Sequence, residues 1–120
     1  MEYNHEAIFC IVNSGYSDEV MDAAKKFGAR GGTVLNARGT ANKDAEKFFG
    51  ISVEAEKEIV LIVVPTECKD DILHALYKEV GLDTAGQGIA FALPVDGVVG
   101  IASEELDKAK KDENKEKQEK

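Results

Sequence analysis

Tryptophan is absent from the 120-residue chain, and aromatic side chains make up only 7% of it, so the core must be built from aliphatic residues. Cysteine occurs twice, at Cys10 and Cys68, a separation that fits neither a CxxC redox pair nor a zinc-ligand spacing. Both read as reduced thiols, in keeping with a cytoplasmic protein. No stretch approaches the roughly 20 apolar residues of a membrane helix. The polar start Met1–Glu6 lacks the basic-then-apolar order of a secretory signal. Cations are in the minority, 15 against 23 acids, for a net charge of −8. The segment from Ser103 to Lys120 holds seven acids and six lysines, which leaves −7 on the body. A body of that sign without a basic stripe excludes nucleic acid as a partner, because phosphate binding needs clustered Lys and Arg. It argues equally against anionic membrane surfaces. His5 and His74 stand alone, and no nucleophile–base set, metal-ligand cluster or carboxylate pair stands out. No catalytic residue and no metal site is expected, and the chain is not expected to be an enzyme.

What the chain does have is a set of short aliphatic runs. Ala7–Val12 is continuous, apolar and rich in β-branched residues, and Asn13-Ser14-Gly15 ends it, which predicts a central strand. Ser17 is the expected N-cap of a helix that carries Asp18 and Glu19 in its first turn, where the helix dipole favours acids. Val20, Met21, Ala24 and Phe27 fall on one face of that helix, and Gly28 closes it. Gly32–Ala37 and Glu58–Val64 predict the second and third strands, with Pro65 as the stop. Thr66 is the next expected N-cap; Ile72, Leu73, Leu76 and Val80 give a second amphipathic helix ended by Gly81. Ile89–Leu93 predicts a fourth strand, and Val98–Ile101 a further short edge strand beyond the Pro94–Gly97 bend.

The order β-α-β-β-α-β predicts an α+β domain of the ferredoxin-like type over residues 1–102, an antiparallel sheet with both helices on one face. Residues 103–120 form a charged tail, either a solvated helix or disordered. Alternate residues of four apolar strands would then line an open sheet face, too large an apolar surface for a monomer. Self-association is expected.

The connection of about residues 39–57 is longer than a hairpin needs, and compact domains keep such loops mainly for function. It carries the adjacent aromatics Phe48 and Phe49, with no nearby core pattern to join. These two are the expected partner-binding residues of a mobile arm.

With the elements in order, several stretches resemble the PII family of nitrogen-regulatory signalling proteins. Gly31-Gly32-Thr33-Val34, followed by Arg38-Gly39, is similar to the family's second strand and the base of its long T-loop. Glu58–Val64 with the closing Val63-Val64-Pro65 resembles the third strand. Gly86-Gln87-Gly88 resembles the Gly-Asp-Gly of the B-loop, and Phe91–Gly100 the last strand and its Val-Val turn. The similarity spans residues 7–102. It implies a homotrimer in the cytoplasm with clefts between subunits, each binding a small-molecule effector such as ATP, ADP or AMP. It also implies a T-loop that docks on a protein target, a membrane transporter or an enzyme. The implied ligand-binding residues are Gly31, Thr33, Arg38, Gly39, Val64, Gly86, Gln87 and Gly88.

The departures from the family pattern bear on the ligand. Ile89 stands where the family has a lysine, and Gly100 and Ala102 stand where it has two arginines. Each charge-assisted phosphate contact contributes about 1.5–3 kcal/mol, so a triphosphate loses the most. No tyrosine lies between Thr40 and Lys57, so tyrosine uridylylation is excluded there. The alternative function is a metal-responsive ferredoxin-like trimer of the divalent-cation tolerance type, which would need His, Cys or carboxylates lining the cleft. An acylphosphatase-like enzyme would need an Arg-bearing anion loop after the first strand, and none is present.

Overall fold

Every second residue of the first apolar run is buried, although the run is apolar throughout. In the computed structural model, which describes residues 4–40, 55–84 and 87–100, β1 spans His5–Asn13 and hides Glu6, Ile8, Cys10 and Val12 on one face. α1 follows over Ser17–Lys25, β2 over Thr33–Gly39 and β3 over Ala55–Pro65. α2 covers Thr66–Glu79 and β4 Gly88–Val95. The four strands form one antiparallel sheet in the order β2-β3-β1-β4. That is the expected ferredoxin-like α+β arrangement.

The core lies between one sheet face and the two helices. Ile8, Cys10 and Val12 of β1 and Val60, Ile62 and Val64 of β3 meet Val20, Ala23 and Ala24 of α1 and Ile72, Ala75 and Leu76 of α2. Among the described residues no phenylalanine is buried in it, so this core is aliphatic. Burial of these aliphatic side chains, each contributing about 1.5–3 kcal/mol for a large one, is what holds the helices to the sheet. Glu6 is the buried charged residue among those described, with Lys69 of α2 3.6 Å from its Oε2.

Among the described residues no helix covers the opposite sheet face. Phe9 pairs with Leu61 on one side and Phe91 on the other, Ile11 with Ile59 and Ile89, and Ala7 with Val63 and Leu93. The Phe9 and Phe91 rings stack with centroids 5.3 Å apart. Ile89, Phe91 and Leu93 remain 59%, 40% and 50% exposed, so this face is an apolar surface open to solvent in the single chain. The unbroken apolar run of β3 is thus explained: both of its faces are apolar, but only one is covered.

Four local expectations change. Ser17 and Thr66 are the first helical residues, not the caps; Tyr16 and Pro65 hold the cap positions without a side-chain hydrogen bond. In each case a backbone bond already fixes the entry: the Tyr16 N–H donates to the Asn13 carbonyl, and the Thr66 N–H donates to that of Asn4. Phe27 lies past the end of α1 and is exposed rather than in the core. Residues 98–100 form no strand, and Val99 is almost fully exposed. Phe48, Phe49, most of the arm and the tail from 101 lie outside the described residues.

Candidate functional site

β1 and β2 run in the same direction, because both are antiparallel to β3, and β4 runs opposite to them. The end of β2 and the start of β4 therefore lie at the same end of the sheet. Arg38 and Gly39 pair with Glu56 and Ala55 where the arm departs. Gly88 pairs with Val12, close to that same end. Laterally, however, β2 and β4 are the outermost strands. Three strand spacings of about 4.8 Å place them roughly 14 Å apart, so one chain does not bring Arg38 and Gly88 together.

The expected ligand residues other than Gly86 have definite places. Gly31 is exposed ahead of β2, and a Cβ there would meet nothing within 4 Å. Thr33 is exposed and pairs with Leu61 midway along β3. Val64 is fully buried in the helix-covered core; its side chain is committed to packing. Gly86 lies outside the described residues. Gln87 turns its side chain back, donating from Nε2 to the Val80 carbonyl at the end of α2, 3.3 Å away. Gly88 is required by the fold itself, because at φ +150° an added Cβ would overlap the Ile11 carbonyl oxygen.

A cavity of about 280 Å³ opens along the β4 edge, lined by Leu73, Tyr77, Leu82, Gly88, Ile89 and Ala90. Sequence reasoning missed it. Leu73 and Tyr77 are four apart on α2, beside the buried stripe Ile72–Leu76, and this second stripe was the available signal. Its walls are mainly apolar, and Gln87–Val95 contains no cation to hold a phosphate. Near the arm, the Gly15 N–H donates to Glu58 Oε1 and Lys57 Nζ donates to Asn13 Oδ1, which pins the β1–α1 turn to β3 below the arm's base. Among the described residues no three His, Cys, Asp or Glu side chains converge as metal ligands. No helix of the described residues is long and apolar enough to cross a membrane.

The thiols differ. Cys10 is buried in the core, and burial pushes its pKa from the ordinary 9.0 up to about 11. Cys68, in the first turn of α2, is partly exposed.

Comparison with known proteins agrees with this architecture. No protein of curated function matches the sequence significantly. Among solved structures, PII of Arabidopsis thaliana, crystallised with citrate, superposes with a TM-score of 0.65 at 25% identity, over 83% of this chain and 85% of that one. A DUF3240-family protein of Shewanella baltica gives 0.62 at 13% identity, covering 84% and 100%. A PII-like signalling protein of Thermus thermophilus gives 0.57 at 20%, covering 79% and 90%; these last two speak to fold alone. The family profile for nitrogen regulatory protein P-II matches residues 5–105, nearly the whole of the folded domain. The chain belongs to the nitrogen regulatory protein P-II family, a family of signalling proteins.

Proposed function

We propose that this chain is a signalling subunit that works as a homotrimer, binds a small anionic metabolite in clefts between subunits, and regulates a protein target. The observation that carries this reading is the split of its candidate residues. Among the described strands, Arg38 and Gly39 lie on one outer strand of the sheet, and Gly88, with Gln87 just before it, on the other, at the same end. They can serve one ligand only if the β2 edge of one copy meets the β4 edge of another. The open apolar face, with Phe91 and Leu93 about half exposed, gives such copies a surface to bury, and area of this kind is the main driving force of association.

Among adenine nucleotides, AMP and ADP suit the cleft better than ATP. Arg38 is the arginine at the base of the arm, while Gln87 is held by Val80 and Ile89 offers no charge. Citrate, the ligand of the Arabidopsis relative, marks small carboxylates as a second class. The segment between β2 and β3, which bears Phe48 and Phe49, would carry the liganded state to a target such as a membrane transporter or an enzyme, in nitrogen regulation.

Calorimetric titration with ATP, ADP, AMP and citrate, each with and without magnesium, tests the reading. Saturable binding of ADP or AMP, weaker for ATP and lost in Arg38→Ala, is the expected result. Heat with citrate alone would move the effector to the carboxylates, and no heat with any of the four would overturn an anion-sensing cleft.

A further inference from the structure

The connection from α2 to β4 is short and held at both ends. Gly81, at φ +83°, turns it away from α2, and Gly88 seats it close against the Ile11 carbonyl of β1. Among its described residues, backbone bonds follow one another. The Val80 N–H donates to the Leu76 carbonyl, the Asp83 N–H to that of Tyr77, the Thr84 N–H to that of Gly81 and the Gln87 N–H to that of Thr84. The Val80 carbonyl is taken by a side chain instead: Gln87 Nε2 donates to it over 3.3 Å, a part-buried bond. The same side chain lies across the Gly81 turn, with Gln87 Cγ 3.9 Å from the position a Gly81 Cβ would hold. Gln87 thus closes the loop back onto the helix it comes from.

We propose that Gln87 is a positioning residue for the effector cleft: its carboxamide clasps the end of α2, sets the shape of the loop that leads into Gly88, and keeps negative charge out of the space beside it. The proposal rests on the anion-binding reading above and adds the residue that shapes the β4 side of that cleft. The choice of an amide is chemical. Carbonyls at a helix C-terminus carry partial negative charge, and only a donor settles on them. A glutamate has the same length but no proton to give at neutral pH. The Val80 carbonyl would repel it, and its carboxylate would swing outward. An aspartate, the residue of the B-loop pattern at this place, is in addition one methylene too short. Turned outward, either carboxylate would stand beside an anionic effector.

The surroundings make position 87 sensitive to charge. Thr84–Val95 contains no charged residue, and the cavity beside Gly88 is walled by Leu73, Tyr77, Leu82 and Ile89. A carboxylate freed at position 87 would therefore be the one charge on this stretch of chain, next to apolar walls that screen it poorly. With Gln87 the stretch stays neutral, and the amide that could compete for an anion is already committed to Val80.

Three forms of the full chain test this: wild type, Gln87→Glu, which keeps the shape and loses the donor, and Gln87→Met, which is neutral and donates nothing. Hydrogen exchange followed by NMR, without added ligand, reads the clasp. Calorimetric titration with ADP and with citrate reads the cleft, and circular dichroism confirms folding. In both variants the N–H groups of Thr84 and residue 87 should exchange roughly fivefold faster or more, as expected for the loss of one hydrogen bond. Gln87→Glu should bind the wild type's ligand at least about tenfold more weakly, as like charges a few ångströms apart require. It should also bind more weakly than Gln87→Met, a difference that a merely structural tie does not produce. Unchanged exchange in both variants overturns the clasp. Faster exchange with affinity unchanged, or lowered equally in both, overturns the role in the cleft while the wild type's own binding keeps the anion-sensing reading intact. A wild type that binds neither ADP nor citrate overturns that reading and the proposal with it.

Discussion

Gly88→Ala adds one methyl group where β4 begins, and the structure shows what that methyl meets. The residue has φ +150°, and the new Cβ would overlap the Ile11 carbonyl oxygen while crowding Val12 Cγ1 at 3.2 Å and the Ile11 carbonyl carbon at 3.3 Å. The obstacle is the backbone of the central strand β1, paired on both sides, so it cannot swing aside as a long side chain would. A non-glycine residue in such a conformation costs about 1–3 kcal/mol, and forcing atoms into a packed site about 1–3 kcal/mol more. Together these predict a loss of about 2–6 kcal/mol, or roughly 8 °C or more in Tm for a domain of this size. Urea unfolding followed by circular dichroism reads it directly. Gly31→Ala is the control, because a Cβ there meets nothing within 4 Å, and it should shift stability by less than about 0.5 kcal/mol. If Gly88→Ala is as mild as Gly31→Ala, Gly88 is no fixture of the fold and its glycine answers to a ligand instead.

Four further outcomes are expected. Leu76→Ala, at a fully buried position, should cost about 2–5 kcal/mol in urea unfolding. Cys10 should resist alkylation in the folded protein while Cys68 reacts. The Cys10 pKa rises from 9.0 to about 11 on folding, so the unfolded chain ionises first and stability should fall as pH rises from about 9 to 11, a slope that Cys10→Ala removes. Phe91→Lys, on the uncovered sheet face beside Phe9, should leave the fold intact but shift size-exclusion elution to the single chain.

The fold was largely legible because the aliphatic runs are short, β-branched and punctuated by Gly, Pro and Asn, but the unalternating run Val60–Val64, which reads as a strand buried on both faces, is fully buried only at Val60, Ile62 and Val64. Strand ends were not legible. Ala55–Glu58 is polar apart from its alanine, yet it pairs with β2 through backbone bonds that ignore side-chain polarity. Ser17 and Thr66 have the right chemistry for caps, but backbone bonds from Tyr16 and Thr66 had already fixed those turns. Val98–Val99 reads as a strand by composition, but those residues pair with no strand in the structure. At the candidate site the sequence gathers Arg38, Gly39 and Gly88 into one family pattern. Linear order cannot show that β2 and β4 end up on opposite edges. Nor could it show that Val64 and Gln87 are engaged in packing and in holding a helix end.

The central claim is that two edges of different copies make one site, so the mass of the wild-type protein in solution is the most direct test. Sedimentation equilibrium at about 50 µM, where mass action favours a specific assembly, should return three times the chain mass of 13.0 kDa. A single species of 13.0 kDa would leave Arg38 and Gly88 permanently on opposite sides of one sheet and contradict the account.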